Sequence, residues 1–167
     1  GVSGLSSAVR LLEAGHRVVI LTREGPLHTT SSVAAATWIP YAVGGASATN
    51  WSLESLDVFK RELAEQPAAT GVKLRTLYHL LGDAEAAAPD WKRSVDASDL
   101  AIEDLPPGYV AGFTFESPVI DMSLYLRYLE RRVLALGGRI EDEWDIAQWD
   151  EVYGSWAGIF ADDGTQL

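Results

Sequence analysis

The sequence of 167 residues has no cysteine, little positive charge and no long apolar run. The absence of cysteine excludes disulfide bonds and thiolate chemistry. The 13 lysines and arginines are outnumbered by 24 aspartates and glutamates, and the net charge of −11 repels nucleic acid and anionic membranes. No stretch reaches the roughly 18 apolar residues of a membrane span, and the N-terminus carries no basic secretory leader. We therefore expect a cytoplasmic protein without nucleic-acid or membrane partners.

Histidine is also scarce. His16, His28 and His79 lie far apart in the sequence and lack the spacing of metal ligands, so we expect no metal site. What the sequence does have is a hydrophobic content of 47%, which is enough to bury the core of a domain. An enzyme or a ligand-binding domain is the function class that remains.

The first 25 residues, GVSGLSSAVRLLEAGHRVVILTREG, carry the clearest motif. Apolar residues at three- and four-residue spacing predict a helix over 4–14, and the run at 18–21 predicts a strand buried on both faces. Gly1 and Gly4 precede this helix like the second half of a G-x-G-x-x-G turn, and Glu24 follows at the spacing of a ribose-binding carboxylate. The pattern favours a dinucleotide site over the alternative, an ordinary loop ahead of a helix.

In such a site the backbone N–H groups at the start of the helix face a pyrophosphate, because glycine permits close approach. Arg23, beside the ribose-binding position, can meet a phosphate. We expect a further strand and the first glycine of the turn ahead of Gly1, so that the first strand of the sheet is missing.

Downstream, strands and helices alternate at first, and strands then predominate. Helices are predicted over 33–36 with Ser31 or Ser32 as the cap, over 53–63 with Asn50 or Ser52, and over 121–136 with Asp121. Strands are predicted over 72–81, over 109–120 as a pair that turns at Glu116 and Ser117, and from 139 onward. This order favours a parallel cofactor domain followed by part of a second sheet.

Two early segments, GVSGLSSAVRLLEAGHRVVIL and TREGPLHTTSSVAAATWIPY, resemble the N-terminal part of the D-amino acid oxidase family of FAD-dependent oxidoreductases. PDWKRSV at 89–95 and SPVIDMSLYLRYLERRVLALGGRIE at 117–141 fit the later course of that family. Residues 29–41 are the most specific part, since many flavin and nicotinamide enzymes share the glycine turn. The resemblance covers nearly the whole chain and implies FAD as the cofactor.

The resemblance implies an α/β fold in which a Rossmann-like parallel sheet for FAD, its first strand missing, is joined to part of a mixed-sheet substrate domain. On this basis residues 1–80 form an N-terminally truncated FAD-binding domain, and residues 81–167 begin the substrate domain and return to the FAD domain. Family members are about twice as long, so the C-terminal half is expected to be absent. We expect the chain by itself to fold poorly and to turn over no substrate.

The resemblance also implies the residues of the site. Its FAD contacts are Gly1, Val2 and Ser3 at the pyrophosphate, Arg23 and Glu24 at the adenosine ribose, Thr29, Thr30 and Ser31 along the diphosphate, Ala35, Ala36 and Thr37 near the isoalloxazine, and Ile146 in the adenine pocket. Thr37 and Ile39 border the substrate. No catalytic residue is implied here, because the tyrosine and arginine that grip the substrate carboxylate belong to the C-terminal half of family members.

The implied activity is FAD-dependent oxidation of a D-amino acid to the imino or 2-oxo acid, with reduction of O2 to H2O2. The expected partners are the D-amino acid and O2, together with a second copy of the longer protein in a homodimer. In a eukaryote, a peroxisomal location is expected in place of the cytoplasm. Two alternatives stay open: a flavoenzyme similar to glycine or sarcosine oxidase, and a noncatalytic nucleotide-binding module.

Overall fold

The computed structural model describes residues 1–40, 45–82 and 87–142. The described helices are α1 (Val2–Glu13), α2 (Ala46–Glu65) and α3 (Met122–Ala135). The described strands are β1 (Val19–Leu21), β2 (Val72–Leu81), β3 (Ala97–Asp99), β4 (Ala111–Ile120) and β5 (Arg139–Glu141). The chain divides into two compact units, one of residues 1–33 and the chain from 126 onward, the other of residues 34–125. The domain boundary predicted at residue 80 stays a prediction, because a compact unit is not by itself a functional domain.

Among the described residues, the first unit contains a parallel two-stranded sheet. β1 pairs with β5 over all three residues of each strand. Helix α1 connects into β1, and it buries Leu5, Ala8 and Val9 on one face. These residues have the three- and four-residue spacing that predicted the helix. This unit therefore has the helix and parallel strands expected of a cofactor-binding sheet.

The helices of the first unit end at glycines with a left-handed backbone. Gly15 after α1 and Gly137 after α3 both have a φ of 87°, which glycine adopts without steric cost. Beyond Gly137, the N–H of Gly138 donates to the carbonyl of Val133 at 2.9 Å, which is the hydrogen bond of a Schellman helix end. The structure confirms that both helices end where the glycines predict.

Strand β1 is less buried than predicted. Val19 is 42% exposed, and Ile20 and Leu21 are half-buried. The expectation of a strand buried on both faces was wrong, because β5 is the one partner that β1 has among the described residues. A strand at the edge of so small a sheet has few neighbours to cover its side chains.

The second unit is built on an antiparallel sheet with β4 at its centre. β4 pairs with β2 over ten residues and with β3 on its other edge. The predicted strand pair that turns at Glu116 and Ser117 was wrong, because β4 is one continuous strand. Phe113, Phe115 and Ser117 alternate inward along it, and the buried Ser117 hydroxyl donates to the carbonyl of Trp38 at 2.6 Å.

Three further local predictions differ from the structure. α2 begins directly after Gly45, so Asn50 and Ser52 lie inside the helix and do not cap it. The helix predicted over 33–36 is replaced by a 3-10 turn at Thr30–Val33, because the chain beyond it extends beside β4. Strand β3 was not predicted, since three residues carry too little alternation to be recognised.

Helix α3 begins as predicted, with Asp121 as its N-cap. The Asp121 Oδ1 accepts hydrogen bonds from the backbone N–H groups of Ser123 at 3.0 Å and Leu124 at 3.2 Å. These two donors would otherwise lack acceptors at the helix start. The strands predicted over 72–81 and from 139 onward are also present, as β2 and β5.

An aromatic cluster forms the core of the second unit. Trp38, Trp91, Phe113 and Phe115 are each at most 6% exposed, and the ring centroids of Trp91 and Phe115 lie 5.2 Å apart. His79 stacks on Phe113 with a centroid distance of 4.8 Å. These five rings are called the aromatic cluster below. Partial burial lowers the pKa of His79 below its ordinary value.

We expect the free energy of unfolding to decrease as the pH falls below 6.5, the ordinary pKa of histidine. The unfolded chain binds more protons near this pH than the folded chain, in which the pKa of His79 is lowered, so the stability is complete above pH 6.5 and is lost as the pH falls toward the folded pKa. Replacing His79 with glutamine should flatten this dependence, and the exposed His16→Gln variant should retain it. Urea unfolding between about pH 7.5 and about pH 5.5 measures it; parallel curves for the wild type and His79→Gln would contradict the prediction.

Candidate cofactor site

The start of α1, the end of β1 and the turn after β1 form a small cleft in the first unit. Gly1 and Gly4 line it from the start of α1, Thr22 and Glu24 from the end of β1, and Pro26 from the turn. The remaining lining residues are apolar, namely Leu5, Ile20 and Ile140. The cleft has a volume of about 30 Å³, which is room for one water molecule or for one group of a larger ligand.

The start of α1 provides hydrogen-bond donors. The N–H groups in the first turn of a helix lack intrahelical acceptors and carry the positive end of the helix dipole. In α1 these groups belong to Val2, Ser3 and Gly4, and the first of them donates to Ser31 Oγ at 3.1 Å. The first turn contains no acidic side chain, so this helix end suits a negatively charged group such as a phosphate.

The two glycines of the cleft leave space in different ways. A Cβ atom on Gly1 would lie 2.9 Å from Ser31 Oγ and 3.6 Å from Thr29 Oγ1, so a larger residue would displace the Ser31 hydroxyl from its present position at the helix start. A Cβ atom on Gly4 would meet no atom of the described residues within 4 Å. The open space beside Gly4 allows close approach to the backbone, as a bound diphosphate requires. The residues present therefore fit the nucleotide part of FAD.

The turn after β1 places Glu24 at the cleft. The Thr22 hydroxyl donates to the carbonyl of Glu24 at 2.8 Å, which holds this turn in place. The side chain of Arg23 is 74% exposed, and its Nε lies 3.5 Å from Glu24 Oε1. A carboxylate at this corner can accept hydrogen bonds from the hydroxyls of a ribose. The ion pair between Arg23 and Glu24 is exposed to solvent and therefore contributes little to the stability of the fold.

The three predicted hydroxyl residues take different positions. Ser31 contacts the start of α1 through the N–H of Val2. The Thr29 hydroxyl donates to the carbonyl of Pro26 at 2.8 Å and thereby braces the loop, whereas Thr30 is exposed. The structure brings Ser31 and Thr29 beside Gly1, and the contact of all three hydroxyl residues with a diphosphate stays a prediction.

Four predicted site residues belong to the second unit and lie beside β4. They are Ala35, Ala36, Thr37 and Ile39. The carbonyl of Ala36 accepts from the N–H of Ile120 at 3.0 Å, and the Thr37 hydroxyl donates to the carbonyl of Pro118 at 3.2 Å. Thr37 is exposed and Ile39 packs against the aromatic cluster. Their contacts with a flavin ring or a substrate stay predictions, and Ile146 lies outside the described residues.

Sequence reasoning did not assign Pro26 or Ile140 to the site. Ile140 lies opposite Ile20 because β1 and β5 pair in parallel, and a pairing so distant in sequence leaves no local signal. Pro26 begins the 3-10 turn Pro26–His28. Here a signal was present, because a glycine-proline dipeptide directly after Glu24 is typical of a turn.

Residues 1–40, 45–82 and 87–142 contain neither a metal-binding cluster nor a membrane-spanning helix. These ranges hold no group of three or more histidine or acidic side chains that could bind a metal ion. None of their helices is long and apolar enough to cross a membrane. The cleft at the start of α1 is the described feature that matches the predicted cofactor chemistry.

The model of a protein family described as FAD dependent oxidoreductase matches residues 1–165. The chain belongs to this family. The match confirms the predicted family, the predicted FAD cofactor and the predicted class of FAD-dependent oxidoreductases.

Within this family, the chain is similar to proteins named D-amino-acid oxidase. The D-amino-acid oxidase of Rubrobacter xylanophilus is 41% identical over 143 residues, which are 84% of this chain and 43% of that protein. The D-amino-acid oxidase of Streptomyces coelicolor is 39% identical over 153 residues, which are 90% of this chain and 47% of that protein. The chain thus spans less than half the length of these two relatives.

Solved structures share the fold at low sequence identity. The L-amino acid deaminase from Proteus myxofaciens matches with a TM-score of 0.69 and 18% identity, over 83% of this chain and 35% of that one. The glycine oxidase from Bacillus cereus matches with a TM-score of 0.62 and 17% identity, over 86% and 45%. These similarities confirm the predicted α/β fold class, with its parallel and antiparallel sheets.

Proposed function

We propose that this chain forms the FAD-binding part of an oxidase that acts on D-amino acids. The observation that carries the proposal is the identity of 39% and 41% with two D-amino-acid oxidases over most of the chain. The cleft at the start of α1 supports it, because backbone donors, open space beside Gly4 and the carboxylate of Glu24 suit a dinucleotide. Since the chain spans less than half of these relatives, the activity is proposed for the intact gene product that carries it.

In this proposal the first turn of α1 holds the pyrophosphate of FAD. The N–H groups of Ser3 and Gly4 donate to phosphate oxygens, while the Ser31 hydroxyl accepts from Val2 and keeps the helix start in place. Glu24 accepts hydrogen bonds from the adenosine ribose. The other proposed FAD contacts are those of the family resemblance, namely Gly1, Arg23, Thr29, Thr30, Ala35, Ala36, Thr37 and Ile146.

The proposed reaction removes a hydride from the substrate α-carbon and a proton from its amine. FAD, when bound, supplies the acceptor for that hydride. The amino acid becomes an imino acid, which water converts to a 2-oxo acid and ammonia. O2 is reduced to H2O2 by the two electrons and the proton of the hydride, together with the proton from the amine. The contribution of this chain is to orient the substrate, with Thr37 and Ile39 beside it. Orientation is sufficient because the neutral amine needs no general base when the C–H bond of the α-carbon is aimed at the acceptor.

The proposal is tested by measuring H2O2 release from the FAD-loaded gene product with D-amino acids, their L-enantiomers, glycine and sarcosine. We expect at least one D-amino acid to react about tenfold faster or more than its enantiomer and than glycine or sarcosine, a difference of about 1.4 kcal/mol in activation free energy. A preference for glycine or sarcosine would overturn the substrate class. A protein that purifies without flavin and does not take it up would overturn cofactor binding and favour a noncatalytic module. The cytoplasmic location and the homodimer stay predictions.

A further inference from the structure

A second cleft in the first unit is lined by charged side chains of α3. Arg127, Glu130 and Arg131 line it from the helix, and the turn Pro26–His28, with Gly25 before it, forms the other wall. Its volume is about 320 Å³. It is called the arginine cleft below.

We propose that the arginine cleft binds a small, multiply charged anion through phosphate or carboxylate oxygens. Such a site goes beyond the proposed oxidase function, because neither the FAD contacts nor the substrate contacts proposed above use the side chains of Arg127, Glu130 or Arg131. The two clefts share one lining residue, Pro26.

The two arginines of the cleft are exposed on one face of α3, and no described residue gives either of them an anionic partner. Arg127 and Arg131 are four residues apart, a spacing that makes side chains neighbours on a helix and makes like charges repel. Neither forms an ion pair or hydrogen bond with any residue in the described part of the chain. Arg132, the next residue, differs, because its guanidinium contacts Glu13 and donates to the Tyr128 hydroxyl at 3.2 Å. Arg132 thus serves the packing of α3, and the other two remain available to a ligand.

The groups of the cleft suit an anion with several oxygens. A guanidinium is a planar fork of donors that binds phosphate and carboxylate oxygens in pairs. The opposite wall is fixed in shape, since Pro26 restricts the backbone and the N–H of His28 donates to the carbonyl of Gly25 at 3.0 Å. The imidazole of His28 adds a further donor.

The local charge of the cleft opposes the charge of the chain as a whole. Arg127 and Arg131 face one acidic side chain, Glu130, among the lining residues, although the whole chain carries a net charge of −11. The overall field therefore repels anions, and retention of one must come from the cleft itself. Its volume lies at the lower end of small-molecule sites, which favours a ligand of the size of a sugar phosphate over a macromolecule.

The test is a calorimetric titration of inorganic pyrophosphate into the intact gene product at low ionic strength, with FAD added to saturation so that the start of α1 is filled. The wild type is compared with Arg127→Gln/Arg131→Gln and with Glu130→Gln. The matched control is Arg61→Gln/Arg93→Gln, which removes the same charge from two exposed arginines outside the cleft. We expect the Kd to rise at least about tenfold in the cleft double variant and less than about twofold in the control.

The Glu130→Gln variant is expected to lower the Kd for pyrophosphate, whereas the arginine double variant is expected to raise it. Removing this carboxylate from beside the arginines should tighten pyrophosphate binding about threefold, which a general loss of structure cannot do. The proposal is overturned if the wild type binds neither pyrophosphate nor citrate, if both double variants lose equal affinity, or if Glu130→Gln weakens binding. If the protein does not bind FAD, the proposed function fails but the cleft can still be tested. Pyrophosphate that binds at the start of α1 is not affected by the substitutions at Arg127 and Arg131, so a difference between the variants still reports on the cleft. A parallel titration with citrate distinguishes carboxylate from phosphate ligands.

Discussion

Replacing Phe113 with alanine is expected to lower the free energy of unfolding by about 3–5 kcal/mol. Phe113 is 1% exposed, and its ring centroid lies 4.8 Å from that of His79 and 5.8 Å from that of Trp91. Alanine removes the buried ring and leaves a cavity that the central strand β4 cannot close, because β2 and β3 hold it from both sides. The contacts with the neighbouring rings are lost as well. The cation–π interaction with Lys92, whose Nζ lies 4.8 Å from the ring centroid, is also lost.

Urea unfolding of the intact gene product measures this loss through tryptophan fluorescence, to which Trp38 and Trp91 of the aromatic cluster contribute. Tyr78→Ala on the neighbouring strand is the matched control, since Tyr78 is 67% exposed, and it should cost less than about 1 kcal/mol. Phe113→Leu, which keeps part of the volume, should fall between the two. Equal losses for Phe113→Ala and Tyr78→Ala would show that Phe113 does not lie in a closed core.

The helix boundaries that sequence reasoning predicted correctly depend on local chemistry. Asp121 caps α3 with its own side chain, and Gly15 and Gly137 end helices because their backbones take a left-handed conformation. In each case the signal and the structure lie within one helical turn. The start of α2 was predicted wrongly because residues 46–50 are small or polar, so no apolar spacing marked the first turn of the helix.

Features that depend on distant partners could not be predicted in this way. The inward alternation of Phe113, Phe115 and Ser117 has meaning only once β2 and β3 flank β4. Glu62 is 1% exposed, and its Oε2 accepts from the hydroxyl of Tyr125, which is 63 positions away, at 3.0 Å. No spacing rule places a carboxylate in a core, because its burial depends on a partner that satisfies it.

In the candidate site, too, residues with a local sequence signal were predicted and those placed by distant pairing were not. Gly1, Gly4 and Glu24 belong to a local motif for dinucleotide binding, and the structure places all three at one cleft. Ile140 enters that cleft through strand pairing across most of the chain. The predictions for Ala35, Ala36, Thr37 and Ile39 depended mainly on the family resemblance, and these residues lie in the other compact unit.

Replacing Gly4 with aspartate is expected to weaken FAD binding by about 100-fold or more, while α1 stays folded. Gly4 lies in the first turn of α1, where an acidic side chain interacts favourably with the helix dipole. A Cβ atom there meets nothing within 4 Å among the described residues, so the fold accommodates the change. A carboxylate about 4 Å from a phosphate costs about 4 kcal/mol at the effective dielectric constant of a protein surface, which exceeds the 2.7 kcal/mol of a 100-fold loss.

Two further variants separate this electrostatic effect from a structural one. Ser7→Asp puts the same charge on α1 one turn further along, at an exposed position, and should change the Kd for FAD less than about threefold because water and salt screen it. Gly4→Ala should raise the free energy of unfolding of the FAD-free protein by about 0.5–1 kcal/mol, since alanine is the better helix former. FAD binding is measured by quenching of flavin fluorescence, and stability by urea unfolding without FAD. If Gly4→Asp binds FAD as tightly as Ser7→Asp, the pyrophosphate does not lie at the start of α1.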